Sequence, residues 1–324
     1  MIQYKSDSCI RNSYFHNHCS DCVDVCTENV FSIFQNKIVL DSEKCTLCSA
    51  CLGSCPSEAL SIPNIDPNVE IAGKISDVFE CDTKTCLARF DSHHLAVASL
   101  KNEKFTLDLS KCESCQIGEY ENTIQEKVVK ANTFLEKLGV ENRVGIKKEI
   151  EEKSKKRELF KNILKKGEDQ IIPQKDSFTK KFYPLKQKLL VDEVKKLDID
   201  LKNGGGLIWT QEISSNCTNC GDCIQFCPTE ALLRSSDKLQ IFIRANLCIS
   251  CGVCNHICKV DAIQKSDEVG ILDLMKPKEL IKFEMAICPE CKTPFIKRGD
   301  EQICDRCHDF VHNHSNIFTL ARDM

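Results

Sequence analysis

The residues best suited to chemistry in this chain are its 24 cysteines. Eight of them lie between residues 217 and 258, where the spacing C-x2-C-x2-C-x3-C occurs twice. Three thiolates on one tight loop can hold a 4Fe-4S cluster from one side, whereas the fourth, expected at the start of a helix, points toward a second cluster. The spacing therefore predicts two clusters with crossed ligands. One is held by Cys217, Cys220, Cys223 and Cys258, and the other by Cys248, Cys251, Cys254 and Cys227.

This segment resembles the bacterial two-cluster ferredoxins, in which the fourth cysteine of each loop serves the other cluster. Pro228 matches the Cys-Pro step of that family, and Lys259 stands where the second proline is usual. The resemblance implies electron transfer. Zinc is the alternative metal, but a structural zinc site usually takes two C-x2-C pairs rather than this run of four.

A second set of eight cysteines lies near the N-terminus. Its second half, CTLCSACLGSCP, follows the same spacing, but nine residues separate Cys9 from Cys19 in the first half. We expect that the first ligand has moved outward and that two more 4Fe-4S clusters form here. Their predicted ligands are Cys9, Cys19, Cys22 and Cys55 for one cluster, and Cys45, Cys48, Cys51 and Cys26 for the other. His16 and His18 lie in the insertion and are alternatives to Cys9 as ligands, although loop histidines are more often solvated.

The stretch after each fourth cysteine is repeated four times along the chain, as TENVFSI, PSEALSI, PTEALLR and KVDAIQK. Each copy predicts a polar turn followed by an apolar strand, so that two copies pack pseudo-symmetrically around each pair of clusters. Gly53, Gly221 and Gly252 are expected to let the backbone approach the clusters.

Near the C-terminus, four cysteines form two C-x2-C knuckles: Cys288, Cys291, Cys304 and Cys307. Four thiolates from two knuckles make a closed tetrahedral site, which favours one structural zinc ion. The segment resembles a zinc ribbon, and its linker KTPFIKRGDEQI predicts a hairpin that turns at residues 298–300. A single iron, as in rubredoxin, has the same ligand set and is the alternative. His308, His312 and His314 are expected to be a solvated tail.

Four further thiols lie in a segment of different character: Cys81, Cys86, Cys112 and Cys115. ISDVFEC indicates a strand, HHLAVASLKN a short helix and FTLDLS a second strand, so the thiols lie at strand ends. C-x4-C together with C-x2-C suits one zinc ion or a 2Fe-2S cluster, and free buried thiols are the alternative. A reactive Cys86 would need a base, for which His93 and His94 are the nearby candidates.

Apolar residues recur at helical spacing in three stretches between the cysteine-rich regions. The first runs from Asn122 to Gly139, with Asn122 and Gln125 placed as a capping box and Gly139 as a stop. The others are SKKRELFKNILKKG and PLKQKLLVDEVKKL. The lysine-rich faces are expected to be solvated, and a docking site for an acidic partner is the alternative. The glycine triplet at 204–206 predicts a flexible joint.

Together these patterns predict an α+β protein in five parts. Residues 1–68 and 207–276 are two ferredoxin modules, named module 1 and module 2. Residues 69–120 form a small strand-helix-strand unit with four cysteines, 121–206 a helical bridge, and 277–324 the zinc-ribbon-like segment.

Composition and charge exclude several classes of protein. A net charge of -4 gives no reason to expect nucleic acid or an anionic membrane as a partner. The N-terminal residues lack the apolar core of a secretory signal, and no stretch approaches the roughly 18 apolar residues of a spanning helix. Thiols in a reducing compartment are better explained as metal ligands than as disulfides, so we expect a cytoplasmic protein with no membrane insertion.

The motifs favour an electron carrier over an enzyme. The sequence contains no G-x-G-x-x-G motif, no phosphate loop and no C-x3-C-x2-C radical loop. The order of its parts resembles multi-cluster ferredoxin-type accessory proteins of bacterial molybdenum enzymes such as formate dehydrogenase and nitrate reductase. The resemblance implies that electrons pass through four clusters to or from a larger redox enzyme. The alternative is an assembly, maturation or redox-sensing factor in which the clusters are structural.

Overall fold

The structure, a computed structural model, describes residues 1–14, 17–81, 85–117, 119–148, 181–197, 199, 201–297 and 301–314. Helices and strands alternate through this part of the chain, in agreement with the predicted α+β class. One hydrophobic core lies within module 1 and another within module 2, while the largest is centred on the segment between them.

In its described residues, module 1 contains two short strand pairs and three short α-helices. In chain order these are β1 Gln3–Tyr4, α1 Ile10–Ser13, α2 Asp21–Asp24, β2 Phe31–Phe34, β3 Lys37–Leu40, α3 Ala50–Ser54 and β4 Leu60–Ser61. Strand β1 pairs antiparallel with β4, and β2 pairs antiparallel with β3. Helix α2 lies in the first cysteine loop and α3 in the second, while α1 lies in the insertion.

A three-stranded parallel sheet follows module 1. Its elements are α4 Pro67–Ala72, β5 Val78–Glu80, α5 Ser92–Lys101, β6 Thr106–Asp108, α6 Glu121–Lys137 and β7 Gly145–Lys147. The strand order is β5-β6-β7, with α5 and α6 as the two crossover helices that parallel strands require. The sequence predicted β5, α5 and β6 correctly but missed β7. Helix α6, predicted to belong to a bridge, is a crossover of this sheet; we call residues 67–147 the α/β unit.

Helix α6 has the apolar face that its sequence predicts. Ile124, Val128, Ala131 and Leu135 are all buried, and Gly139 ends the helix with a φ of +72°. The predicted capping box is wrong. The helix begins at Glu121, so Asn122 lies inside its first turn, and no side chain caps its N-terminus.

The third apolar stretch is also a helix, α7 Leu185–Val194, which packs against α5 through Leu190, Val191 and Val194. One of its lysines is not solvated as predicted. Lys186 is buried and donates from Nζ to Cys55 O at 2.9 Å and to Asp91 Oδ2 at 2.7 Å, so it ties module 1 to the α/β unit. The second predicted stretch, residues 154–167, lies outside the described residues.

The glycine triplet forms a packed turn, and the prediction of a flexible joint is wrong. The N–H of Gly204 donates to Asp267 O at 2.6 Å, and a Cβ at this position would lie 1.7 Å from Ile208 O. Gly205 has a φ of +58° and lies against Phe134 of α6. Since both glycines are buried, the turn attaches module 2 firmly to the α/β unit.

Module 2 repeats the plan of module 1. Its elements are β8 Thr210–Ile213, α8 Asp222–Gln225, β9 Leu232–Arg234, β10 Gln240–Ile243, α9 Val253–Ile257, β11 Ile263–Ser266, α10 Ile271–Met275 and β12 Lys278–Lys282. Strand β8 pairs with β11 as β1 does with β4, and β9 pairs with β10 as β2 does with β3. Strand β12 adds a third strand on β10, beyond the predicted end of the module at residue 276.

The predicted fourfold repeat is confirmed in the backbone. The third residue after each fourth cysteine has a positive φ; these residues are Asn29, Glu58, Glu230 and Asp261. The carbonyl of the next residue accepts a backbone hydrogen bond at 2.8–2.9 Å in all four copies. The donor is the N–H of the residue just after the strand that leads to a cysteine loop. The fourth cysteine itself lies after a helical turn, as Cys227 does after α8. The prediction that it begins a helix is therefore wrong.

The C-terminal segment has strands β13 Glu284–Ile287 and β14 Pro294–Lys297, followed by helix α11 Asp305–Asp309. The two strands pair antiparallel on either side of the first knuckle, so β14 pairs with the strand before it and not, as predicted, with residues after it. The predicted turn at 298–300 lies outside the described residues. Every helix in the described ranges is too short or too polar to cross a lipid bilayer.

Candidate metal centres

The eight thiols of module 2 lie in two groups of four. One group is Cys217, Cys220, Cys223 and Cys258; the other is Cys227, Cys248, Cys251 and Cys254. Burial and the charges of Cys217, Cys220 and Cys258 raise the pKa of Cys223 to about 12. Burial and the other three thiols of its group, with a smaller contribution from Cys223, raise the pKa of Cys254. Each group contains one cysteine from the other loop, so the arrangement allows the crossed ligands that the spacing predicts. Cluster binding by these groups stays a prediction.

The eight thiols of module 1 form two groups in the same way. They are Cys9, Cys19, Cys22 and Cys55 in one group and Cys26, Cys45, Cys48 and Cys51 in the other. Cys9 lies near Cys19 and Cys22 in spite of the insertion. Burial, followed by the charges of Cys55, Cys19 and Cys9, raises the pKa of Cys22 to about 12. His16 lies outside the described residues. His18 faces His256 of module 2, with ring centroids 6.3 Å apart.

The chemistry of these groups fits an iron-sulfur cluster. Buried thiols that crowd together resist ionisation, because burial and mutual repulsion both disfavour the thiolate form. Iron ions supply the positive charge that stabilises four thiolates in one place. Two buried polar atoms beside the thiols, Arg234 Nε and Ser250 Oγ, have no hydrogen-bond partner among the described residues. The sulfur atoms of a bound cluster and of its cysteine ligands could accept hydrogen bonds from Arg234 Nε and Ser250 Oγ.

The three regular cysteine loops share one backbone conformation. In each loop, the residues on either side of the second cysteine have positive φ; they are Leu47 and Ser49, Asn219 and Gly221, and Ser250 and Gly252. Successive N–H groups in such a chain form a concavity that binds anionic groups. The loops are therefore shaped to surround a cluster with its thiolates and sulfides.

Gly53 does not have the role predicted for it. A Cβ at this position would lie 2.6 Å from Arg89 O and 2.7 Å from Ala88 O. The glycine therefore allows close packing of helix α3 on the α/β unit and not approach of the backbone to a cluster.

Three side chains near the thiols escaped the sequence analysis. Tyr120 Oη lies 3.3 Å from Cys48 Sγ and 3.0 Å from Thr27 Oγ1. Burial, followed by a hydrogen bond with the Cys9 side chain, raises the pKa of Tyr4. Arg234 donates to Asn219 O at 2.7 Å, and its charge opposes the rise that burial causes in the pKa of Cys217. No spacing rule identifies such residues, since Tyr120 lies 72 positions from the thiol that it contacts.

The C-terminal group is much tighter than the four groups in the modules. Among the described residues, only the set Cys288, Cys291, Cys304 and Cys307 has all its ligand atoms within 4.8 Å of one another. Cys291 Sγ and Cys304 Sγ are 3.6 Å apart. Sulfurs around one tetrahedral zinc ion lie about 3.8 Å apart, because the Zn–S bond is about 2.3 Å. This group therefore has the size of a site for a single metal ion.

Hydrogen bonds already favour thiolates in part of this group. Bonds from the Thr293 hydroxyl and backbone N–H lower the pKa of Cys291 to about 6. Burial and the neighbouring thiols raise the pKa of Cys307 to about 12. Because the pKa is lowered at Cys291 and raised at Cys307, all four thiols become thiolates together only when a cation binds between them. His308, His312 and His314 are exposed, as predicted for a solvated tail.

The thiols of the α/β unit form a looser set. Cys86 shares a hydrogen bond with Cys81, which together with burial raises its pKa. Burial and Glu121 raise the pKa of Cys112 to about 11, and Cys81 and Cys115 contribute in the same direction. All four thiols line one cavity of about 270 Å³. The set is too wide for all four sulfurs to surround a single tetrahedral ion without rearrangement.

Neither histidine near Cys86 serves it as a base. His93 interacts through Nδ1 with Asp91 Oδ1 at 2.6 Å and through Nε2 with Leu207 O at 3.1 Å. His94 accepts the Asp91 N–H at its N-cap, and burial lowers the pKa of His94 to about 3. Both rings therefore stabilise helix α5 and its contacts.

Comparison with known proteins agrees with this geometry. Residues 17–59 and residues 211–267 each match a family described as a 4Fe-4S dicluster domain. These two matches contain the regular loops of both modules. The chain is therefore an iron-sulfur protein of the 4Fe-4S dicluster class.

A ferredoxin from Methanothermococcus thermolithotrophicus is 38% identical to the chain over 45 residues. The aligned region covers 14% of this chain and 75% of that relative. The chain belongs to the ferredoxin family. No solved structure matches it. Its domains support a role in iron-sulfur electron transfer and suggest a carrier rather than a catalyst.

Proposed function

We propose that this protein carries single electrons through four 4Fe-4S clusters, to or from a larger redox enzyme. The observation that carries the proposal is the collection of sixteen thiols into four groups, each completed by a cysteine from a distant loop. Such a group has four sulfur ligands, the number that a cubane takes. Two groups in each module provide the short steps that electron transfer needs.

The surroundings of the groups also suit electron transfer. Apolar side chains exclude water on the core side of each module; among them are Leu52, Val30, Leu247 and Ile263. Burial, N–H donors and nearby charges set the reduction potential of a cluster. The four groups differ in these neighbours, so their potentials are expected to differ.

A fifth redox centre, a 2Fe-2S cluster, is proposed for the α/β unit. Its thiols form two pairs, Cys81 with Cys86 and Cys112 with Cys115, and two iron ions take two sulfurs each. The cavity that they line has room for a cluster. It adjoins module 1, because the N–H of Cys86 donates to Cys48 O at 3.0 Å. Zinc is the competing metal, and its four close ligands would require the pairs to move together.

One zinc ion is proposed for the C-terminal knuckles, whose thiols already have the spacing of a single tetrahedral ion. With closed coordination, such a site stabilises the segment and takes no part in redox chemistry.

The resemblance to accessory proteins of molybdenum enzymes favours an enzyme such as formate dehydrogenase as the redox partner. An assembly or maturation factor is the competing function, and kinetics separate the two. A carrier is reduced rapidly and reversibly at all its clusters by a low-potential donor. An assembly factor binds the partner's apo-enzyme tightly and is reduced slowly or in part.

Anaerobic metal analysis tests the proposal. Four 4Fe-4S clusters and one 2Fe-2S cluster give about eighteen irons per chain, accompanied by about one zinc. A preparation with about sixteen irons and two zincs would replace the fifth redox centre by zinc and leave the four-cluster carrier intact. A protein with zinc alone would end the redox proposal.

The variant Cys258→Ser tests the crossed ligands within the same experiment. We expect it to damage the cluster of Cys217, Cys220 and Cys223 and to spare the one beside it in sequence, with a loss of about four irons. Damage confined to the cluster of Cys248, Cys251 and Cys254 would contradict the crossing.

A further inference from the structure

One of the four cysteine loops differs from the rest. Between Cys9 and Cys19, module 1 has nine residues where the other three loops have two, and helix α1 begins directly after Cys9. The first thiol group is complete in spite of this insertion. The insertion is therefore not needed to gather the thiols, and its other contacts reveal what it does.

The central contact of the insertion is made by Asn17, which is only 3% exposed. Its Nδ2 donates to Cys251 O, 234 positions away in module 2, at 3.0 Å. Its Oδ1 accepts the backbone N–H of Cys19 at 2.9 Å. One side-chain amide thus joins a cysteine loop of module 1 to a cysteine loop of module 2.

An amide suits this position because it offers one acceptor and one donor side by side. A carboxylate would keep the acceptor for Cys19 but would face the Cys251 carbonyl with a second acceptor. An aliphatic side chain would leave two partly buried backbone groups, the Cys251 carbonyl and the Cys19 N–H, without this partner, which is costly.

Two ring contacts flank the amide. Tyr14 packs against Phe226 with ring centroids 5.8 Å apart, and His18 meets His256 edge to face at 6.3 Å. Phe226 precedes Cys227, and His256 lies between Cys254 and Cys258. The insertion therefore contacts module 2 around the thiol group of Cys227, Cys248, Cys251 and Cys254.

We propose that residues 10–14 together with residues 17–18 are a docking arm and that Asn17 is its positioning residue. The arm holds the loop of Cys19 next to the loop of Cys251, so that electrons pass directly between module 1 and module 2. This inference rests on the proposed electron-transfer function.

The test uses the full-length holoprotein and the variants Asn17→Leu and Asn17→Asp. In Asn17→Leu, we expect unchanged iron content but loss of the spin-spin coupling between the modules in the EPR spectrum of the reduced protein. Protection of the Cys19 amide against hydrogen exchange should fall about tenfold, as expected when one buried hydrogen bond is lost. In Asn17→Asp, the Cys19 amide should stay protected while the coupling is lost.

Asn12→Leu is the matched control. Asn12 lies in the same arm, but within the described part of the chain its side chain bonds only to module 1, as donor to Ser6 Oγ and as acceptor of the Ile38 N–H. It should keep the coupling. The inference is overturned if Asn17→Leu keeps the coupling, or if Asn12→Leu loses it to the same extent. A protein without iron would end the four-cluster proposal instead, and the exchange measurement would still report on the Asn17 contact.

Discussion

Module 1 and module 2 have the same strand pairs and the same fourfold backbone repeat, yet they use equivalent positions differently. In the second cysteine loop of each module, the second residue after the third cysteine is Gly53 in module 1 and His256 in module 2. Gly53 allows close packing on the α/β unit, whereas His256 meets the docking arm. The repeat thus maintains the thiol groups, while positions between the ligands are free to specialise in contacts between parts.

The largest expected effect concerns the ligand that differs most between the modules. Cys9→Ser should remove about four irons from module 1, as Cys217→Ser should from module 2, because each would lose one of four cluster ligands. Iron analysis and the visible absorption spectrum measure the loss. If Cys9→Ser retained all its iron while His18→Ala lost it, the first group would be completed by a histidine and the modules would differ in ligand type.

A smaller effect is expected from Gly53→Ala. The added Cβ would lie within 2.7 Å of two backbone carbonyls, so the α/β unit must shift, at a cost of about 1–3 kcal/mol. Thermal unfolding under anaerobic conditions should show a lower melting temperature. Gly73→Ala is the control, because the nearest atom to its Cβ is 3.6 Å away. Equal melting temperatures for the two variants would contradict tight packing at Gly53.

The smallest effect is expected from Tyr120→Phe. The hydroxyl near Cys48 favours the more negative, reduced cluster, so its loss should lower one reduction potential of module 1. A hydrogen bond of about 1 kcal/mol corresponds to ~40 mV for one electron. Potentiometric titration followed by EPR should show the shift, with module 2 unchanged. An equal shift in both modules would mean that the effect is not local to Cys48.

The cysteine sets could be read from the sequence because ligand spacing follows directly from loop geometry. Cys9 lies near Cys22 and Cys55, as expected of a first ligand that has moved outward, while its binding to a cluster stays a prediction. Contacts between parts left no such pattern. Strand β7 is three residues long, which is too short for an alternating pattern of apolar and polar residues. Because β7 was not predicted, helix α6 was assigned to a helical bridge and not to the sheet.

The glycine triplet misled for a related reason. Glycines mark both flexible joints and places where backbones pack closely, and only the neighbours distinguish the two cases. Phe134 and Ile208 are those neighbours, and they come from different parts of the chain. Asn17 was likewise invisible in the sequence, because its partner lies 234 positions away.

The crossed arrangement of the thiols has a consequence for how such a protein can arise. In the proposed ligation, one repeat supplies three ligands to one centre and a single ligand to another, so an isolated repeat would complete neither. A functional ancestor would have needed two copies facing each other, as a symmetric dimer or after gene duplication. Extension of the chain by further duplication would then succeed only in whole pairs, and four repeats are two such pairs.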